Sequence, residues 1–118
     1  MVLNHVDLQV PDVQRAAAFF ASHFGFALQS NPSSPAIAIL AGDGGFSLVL
    51  QKRQDDRPCP EGFHIGFIVS DVAKVHAFHA GAVAAGLRIS PVETNGRGTM
   101  TYCRFEDLLI EVSVRRQS

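Results

Sequence analysis

The feature that most constrains this chain is a repeat at half its length. The segment His5-Val6-Asp7-Leu8-Gln9-Val10-Pro11-Asp12-Val13 is answered 59 residues later by His64-Ile65-Gly66-Phe67-Ile68-Val69-Ser70-Asp71-Val72. Extended to Phe20 and His79, six of sixteen positions are identical: His5/His64, Val10/Val69, Asp12/Asp71, Val13/Val72, Ala18/Ala77 and Phe19/Phe78. About one identity is expected by chance at ordinary composition. Self-similarity of this kind means two copies of one supersecondary unit. Two modules are expected, about 1–53 and 63–118, joined by the polar, proline-bearing segment 54–62. Copies this small are too short for independent cores, so residues 1–118 are expected to form one domain.

Both copies change their apolar period in the same order. Val2–Val10 alternates, with Val6, Leu8 and Val10 on one face and His5, Asp7 and Gln9 on the other. Asp12 follows as a helix N-cap, and Val13, Ala16, Ala17, Phe20 and Phe24 recur at helical spacing until Gly25 ends the helix. Strands are expected at 27–29, 36–40 and 46–51, with Gly42-Asp43-Gly44-Gly45 as a hairpin turn. In the second copy a strand over Phe63–Val69 leads to an Asp71-capped helix reaching about Ala85 and stopped by Gly86. Strands then follow near 88–92, 99–105 and 108–114. The plan is βαβββ twice: an α+β fold with a mostly antiparallel sheet, helices on one face and the other face free.

The free face carries the chemistry. His5 lies opposite Val6, Leu8 and Val10, and His64 holds the same place in the second copy. In the last strand Leu108, Ile110, Val112 and Val114 form the apolar set, which leaves Glu111 on the other side. Two imidazoles and a carboxylate are a standard facial set for a divalent transition metal with open positions. Zinc, nickel, manganese or iron would suit these donors. The alternative is that both histidines are half-buried sheet residues and Glu111 is merely exposed.

Composition narrows the function classes. Lys and Arg total 10 against 11 Asp and Glu, a net charge of −1 that leaves no footprint for nucleic acid or an anionic membrane. No apolar run approaches the roughly 20 residues of a membrane span, and the first residues do not resemble a signal peptide. Two cysteines, Cys59 and Cys103, are too few for a disulfide framework. A cytoplasmic protein with reduced thiols is expected.

These residues resemble a known family. Leu3-Asn4-His5-Val6-Asp7-Leu8-Gln9-Val10-Pro11-Asp12, Ala18-Phe19-Phe20, Phe24-Gly25-Phe26, the His64 segment and Leu109-Ile110-Glu111-Val112 are similar to the vicinal oxygen chelate superfamily. That superfamily includes glyoxalase I, extradiol dioxygenases, fosfomycin-resistance thiol transferases and bleomycin-binding proteins. The resemblance implies paired βαβββ modules forming a cupped sheet, a divalent metal on His5, His64 and Glu111, a small oxygen-rich substrate and a homodimer. The implied activity is that of a metal-dependent lyase, isomerase, thiol transferase or dioxygenase. A metal-free small-molecule or antibiotic-binding protein is the alternative. The chain departs from glyoxalase I at Val49, which stands where that enzyme has a fourth, carboxylate ligand; Gln51, two residues on, could substitute.

Other residues complete the expected site. Glu111 and Asp7 are the candidate catalytic carboxylates, Asp7 either as a general base or substrate contact or as a group that orients His5. Tyr102, Arg97 and Gln51 are the expected substrate contacts. Tyr102 could instead pack in the core, and Arg97, between Gly96 and Gly98, could simply be solvated.

Overall fold

The structure is a computed structural model that describes residues 1–116. It divides between Arg57 and Pro58, inside the expected linker, into two compact units.

The first unit contains β1 (His5–Val10), α1 (Val13–Phe24), β2 (Ala27–Leu28), β3 (Ile37–Ala41) and β4 (Ser47–Lys52). Asp12 is extended, and its carboxylate accepts the backbone N–H of Arg15 at 3.0 Å, as an N-cap must. Gly25 closes the helix at φ 71°, a left-handed conformation that is cheap only without a Cβ. The sheet order is β1-β4-β3-β2, with β1 parallel to β4 and the other pairs antiparallel. Leu8 pairs with Leu50, Ala38 with Leu50 and Leu40 with Leu48, so the apolar side chains of three strands share one face. Val13, Ala16, Ala17 and Phe20 of α1 are buried with them. Fully burying a side chain such as Phe20 or Leu50 contributes about 1.5–3 kcal/mol. His5, Asp7 and Gln9 are left exposed on the opposite face.

The second unit contains β5 (His64–Ile68), α2 (Val72–Ala84), β6 (Arg88–Ile89), β7 (Glu93–Asn95), β8 (Gly98–Phe105) and β9 (Leu108–Arg115). Asp71 caps α2 by accepting the backbone N–H of Lys74 at 2.9 Å, and Gly86 follows its end at φ 74°. The sheet order is β5-β9-β8-β6, with β5 parallel to β9 and β7 also paired to β8. Met100, Cys103, Leu108, Ile110 and Val112 are buried together with Val75 and Ala82 of α2.

One strand differs from expectation. The strand expected near 88–92 is cut short to β6, the chain leaving the ladder at Ser90-Pro91, and a further strand, β7, follows it. Pro91 has no N–H to give a ladder, and Ser90 is held by β8 instead. The Ser90 N–H donates to the Tyr102 carbonyl at 2.8 Å, and the Thr101 hydroxyl donates to the Ser90 carbonyl at 2.8 Å. The chain then re-pairs as β7, whose three residues are all exposed and so carry no apolar alternation. Among the described residues no helix is long and apolar enough to cross a membrane.

Candidate functional site

In the second unit, β5, β8 and β9 bring three expected residues to one face. The parallel register sets His64 beside Leu109 and Gly66 beside Glu111, and the β8–β9 hairpin sets Tyr102 beside Glu111. Thr101 and Cys103 take the buried side of β8, so Tyr102 stands on the face of Glu111 rather than in the core. Its hydroxyl donates to Glu111 Oε1 at 2.7 Å. That hydrogen bond raises the Tyr102 hydroxyl above the ordinary tyrosine range, and burial adds to the effect. Tyr102 therefore remains a donor at neutral pH. The His64 ring meets the Tyr102 ring edge to face, centroids 6.4 Å apart.

The remaining oxygen of Glu111 occupies space that Gly66 leaves open. A Cβ at Gly66 would come within 3.4 Å of Glu111 Oε2. His64 is anchored from upstream: Nδ1 lies 3.0 Å from the Gly62 carbonyl. A carbonyl only accepts, so this bond puts the ring proton on Nδ1 and leaves the lone pair on Nε2.

The first unit repeats part of this arrangement. His5 Nδ1 lies 2.9 Å from Asn4 Oδ1, again an upstream oxygen acceptor that leaves Nε2 with the lone pair. Asp7, on the same face, pairs in register with Val49. Gln9 donates to one Asp7 oxygen at 3.1 Å, and Gln51 donates to the other. The Gln51 amide thus spends an N–H on Asp7. Two acceptor positions on the Asp7 carboxylate stay open, since an ionised carboxylate offers about four.

Arg97 is exposed in the two-residue connection between β7 and β8, where its backbone N–H donates to Asn95 Oδ1 at 2.8 Å. Its charge acts weakly on Tyr102, in opposition to Glu111. Among the described residues no three His, Cys, Asp or Glu side chains are gathered so as to hold a metal ion; each unit carries part of the expected donor set.

Sequence reasoning missed Asn4, Gly62, Gly66 and Gln9. The signal for two of them was in the repeat. Alternation puts Gln9 on the His5 face, and the 59-residue offset makes Gly66 the counterpart of Asp7. The anchors Asn4 and Gly62 depend on side-chain and loop geometry that no spacing reveals.

Solved structures share this fold. A possible glyoxalase from Bacillus cereus superposes with a TM-score of 0.86 at 25% identity, over 96% of this chain and 98% of that one. A lactoylglutathione lyase from Agrobacterium tumefaciens gives 0.78 at 18% identity, over 96% and 92%. A mutant of the fosfomycin resistance protein FosX from Listeria monocytogenes, in complex with Mn(II) and 1S,2S-dihydroxypropylphosphonic acid, gives 0.79 at 20% identity, over 98% and 95%. None of the curated proteins is significantly similar in sequence. The family model described as Glyoxalase/Bleomycin resistance protein/Dioxygenase superfamily matches residues 2–108. With its repeated modules, its mixed sheets and a match over nearly the whole sequence, the chain belongs to this vicinal oxygen chelate superfamily.

Proposed function

We propose that this protein is a metal-dependent enzyme acting on a small oxygen-rich molecule, with His5, His64 and Glu111 as ligands of a divalent cation. The observation that carries this reading is the shared anchoring of the two imidazoles. Each is held through Nδ1 by an oxygen acceptor, Asn4 Oδ1 or the Gly62 carbonyl, an arrangement that in a neutral ring favours the tautomer with its lone pair on Nε2. Metal-binding histidines characteristically have such a partner, because it fixes the tautomer and raises the basicity of the other nitrogen. Glu111 fits the same role: Tyr102 holds Oε1, while Oε2 lies in the gap above Gly66.

Zinc, nickel, manganese or iron would suit two imidazoles and a carboxylate. When bound, such an ion would polarise a substrate carbonyl or hydroxyl. The chain's own groups do the rest. Glu111 and Asp7 are the carboxylates on the two histidine faces that can take up and return a proton. Tyr102 supplies a hydroxyl beside Glu111, and Arg97 and Gln51 are further contacts for polar or anionic parts of a substrate. The FosX structure, which holds Mn(II) and a dihydroxypropylphosphonic acid on a similar fold, supports a vicinal-oxygen ligand. The reaction falls among lyase, isomerase, thiol-transfer and dioxygenase chemistries. Val49 in place of a carboxylate weighs against a glyoxalase I arrangement in its usual form. One domain made of both modules, a homodimer and a cytoplasmic setting belong to the same reading.

The test is elemental analysis of untagged protein beside His5→Ala and His64→Ala variants. About one metal per chain, lost in both variants, is expected. No metal after exposure to zinc, nickel, manganese and iron would leave a metal-free binding protein as the better account.

A further inference from the structure

The second unit carries a pair of like charges that its fold does not require. Arg88 of β6 pairs directly with Arg104 of β8, and both are exposed. Directly opposed residues of an antiparallel pair point to the same side of the sheet, and two cations set there repel each other. Among the described residues neither guanidinium meets a carboxylate. Arg88 donates instead from Nη2 to the Glu106 carbonyl at 2.6 Å, a bond that steadies the guanidinium and leaves its charge in place.

The repeat shows what this position needs structurally. Val49 answers Glu111, because their β1 and β5 partners are Asp7 and Gly66. Ile39 then answers Tyr102, since each pairs with that residue across the hairpin. Two residues further on, Ala41 answers Arg104, and its partner Ala27 answers Arg88. The first unit thus makes the same edge pairing with two alanines. The ladder alone does not account for two arginines.

Their place on the sheet gives them a use. Arg104 is two residues from Tyr102 on β8, hence on the same face and about 7 Å along the strand. Arg104 also pairs with Leu109, and Leu109 with His64. One level of the sheet therefore runs Arg88, Arg104, Leu109, His64, and the next carries Tyr102, Glu111 and Gly66. The two guanidiniums are rooted on strands about 4.8 Å apart. An oxyanion with two or more acceptor oxygens matches the planar donor forks of both, and its charge removes their repulsion.

From this we infer that Arg88 and Arg104 bind an oxyanion, the phosphoryl or carboxylate group of a small substrate whose other end reaches Tyr102 and Glu111. The inference rests on the reading of this face as the substrate face and adds the class of substrate, an anionic one. It involves the second unit alone.

The experiment is titration of the full chain, without added metal, with inorganic phosphate and separately with malonate, at an ionic strength held constant with sodium chloride. Arginine Nε–H signals in ¹H–¹⁵N spectra report the pair, and so does the fluorescence of Tyr102, the one tyrosine in a chain without tryptophan. Saturable shifts are expected at Arg88 and Arg104. Affinity should fall at least ~10-fold in Arg88→Gln and in Arg104→Gln and hold in Arg115→Gln, which removes an exposed arginine elsewhere. Tighter binding of phosphate would mark a phosphoryl substrate, and tighter binding of malonate a carboxylate one. Without anion, Arg104→Gln should melt no lower than the parent, because it relieves a repulsion; a lower melting temperature would make the pair structural and overturn the inference. Shifts that rise linearly with concentration, or that survive in both glutamine variants, would overturn it too. His64→Ala separates the two readings. It removes a proposed metal ligand and should bind phosphate as the parent does, so metal lost there with phosphate binding intact upholds both. Phosphate binding lost in His64→Ala would place the anion elsewhere than on the arginines. A failed anion titration beside intact metal binding would overturn the arginine pair and leave the metal site standing.

Discussion

The two units are built from one repeat, yet they seat their helices differently. In α1 four residues, Val13, Ala16, Ala17 and Phe20, are buried, and they lie on one stripe. In α2 only Val75 and Ala82 are, and Val72 and Val83 are left 47% and 57% exposed. The sequences explain the contrast. Arg15 and Ser22 of α1 fall opposite its apolar stripe, whereas α2 (Val72-Ala73-Lys74-Val75-His76-Ala77-Phe78-His79-Ala80-Gly81-Ala82-Val83-Ala84) is apolar nearly all round. A helix of the second kind gives no sharp signal of which side faces the sheet. The repeat preserved the caps and the histidines while the packing of the helices and the position of the carboxylate drifted apart.

The largest effect should separate the helices. Phe20→Ala empties a site that is 1% exposed and should cost about 3–5 kcal/mol, read from urea unfolding. Phe78→Ala in α2, at a partly covered position, should cost less than that. Equal losses would mean that α2 is seated as firmly as α1.

Next in size is the Tyr102 hydrogen bond. Tyr102→Phe should lower metal affinity about 10-fold by freeing Glu111 Oε1, with a stability change near 1 kcal/mol. The matching change in the first unit, Gln51→Leu, removes the N–H that Gln51 donates to Asp7 and should leave metal affinity unchanged, because Asp7 is not among the proposed ligands. Equal losses of affinity in both variants would break the contrast.

The helix caps should show what the repeat kept. Asp12→Ala and Asp71→Ala each remove a carboxylate that accepts a backbone N–H three residues on, at 3.0 and 2.9 Å, and each should cost about 1 kcal/mol. The smallest test concerns the thiols. Burial raises the Cys103 thiol above its ordinary value, so less of it is thiolate at any given pH, while Cys59 is only partly covered. At pH 8 iodoacetamide should label Cys59 first, and Cys103 should react only as the pH rises well above that or on unfolding.

Much of this was legible because repeats and alternation are backbone properties. The 59-residue offset located both first strands, both caps and the equivalent places of His5 and His64 in their own strands. Alternation put Glu111 on the face opposite Leu108, Ile110 and Val112, and those three are buried. It left Tyr102 open, because Thr101 and Cys103 are small residues that do not announce a core. β7 was invisible for the opposite reason: a strand with no buried face has no period to detect, and Pro91 ended the expected strand early. The histidine anchors Asn4 and Gly62 act through individual hydrogen bonds, which no pattern of hydropathy encodes.

The central claim is that both histidines are set to bind a cation through Nε2. Long-range ¹H–¹⁵N correlation spectra of the ¹⁵N-labelled, metal-free protein read the tautomer of each ring directly, with His5→Ala and His64→Ala variants for assignment. The account predicts the Nδ1–H tautomer at His5 and His64, and a selective shift of their Nε2 resonances when Zn²⁺ is added. Nε2–H tautomers at both positions, with spectra unmoved by metal, would contradict it.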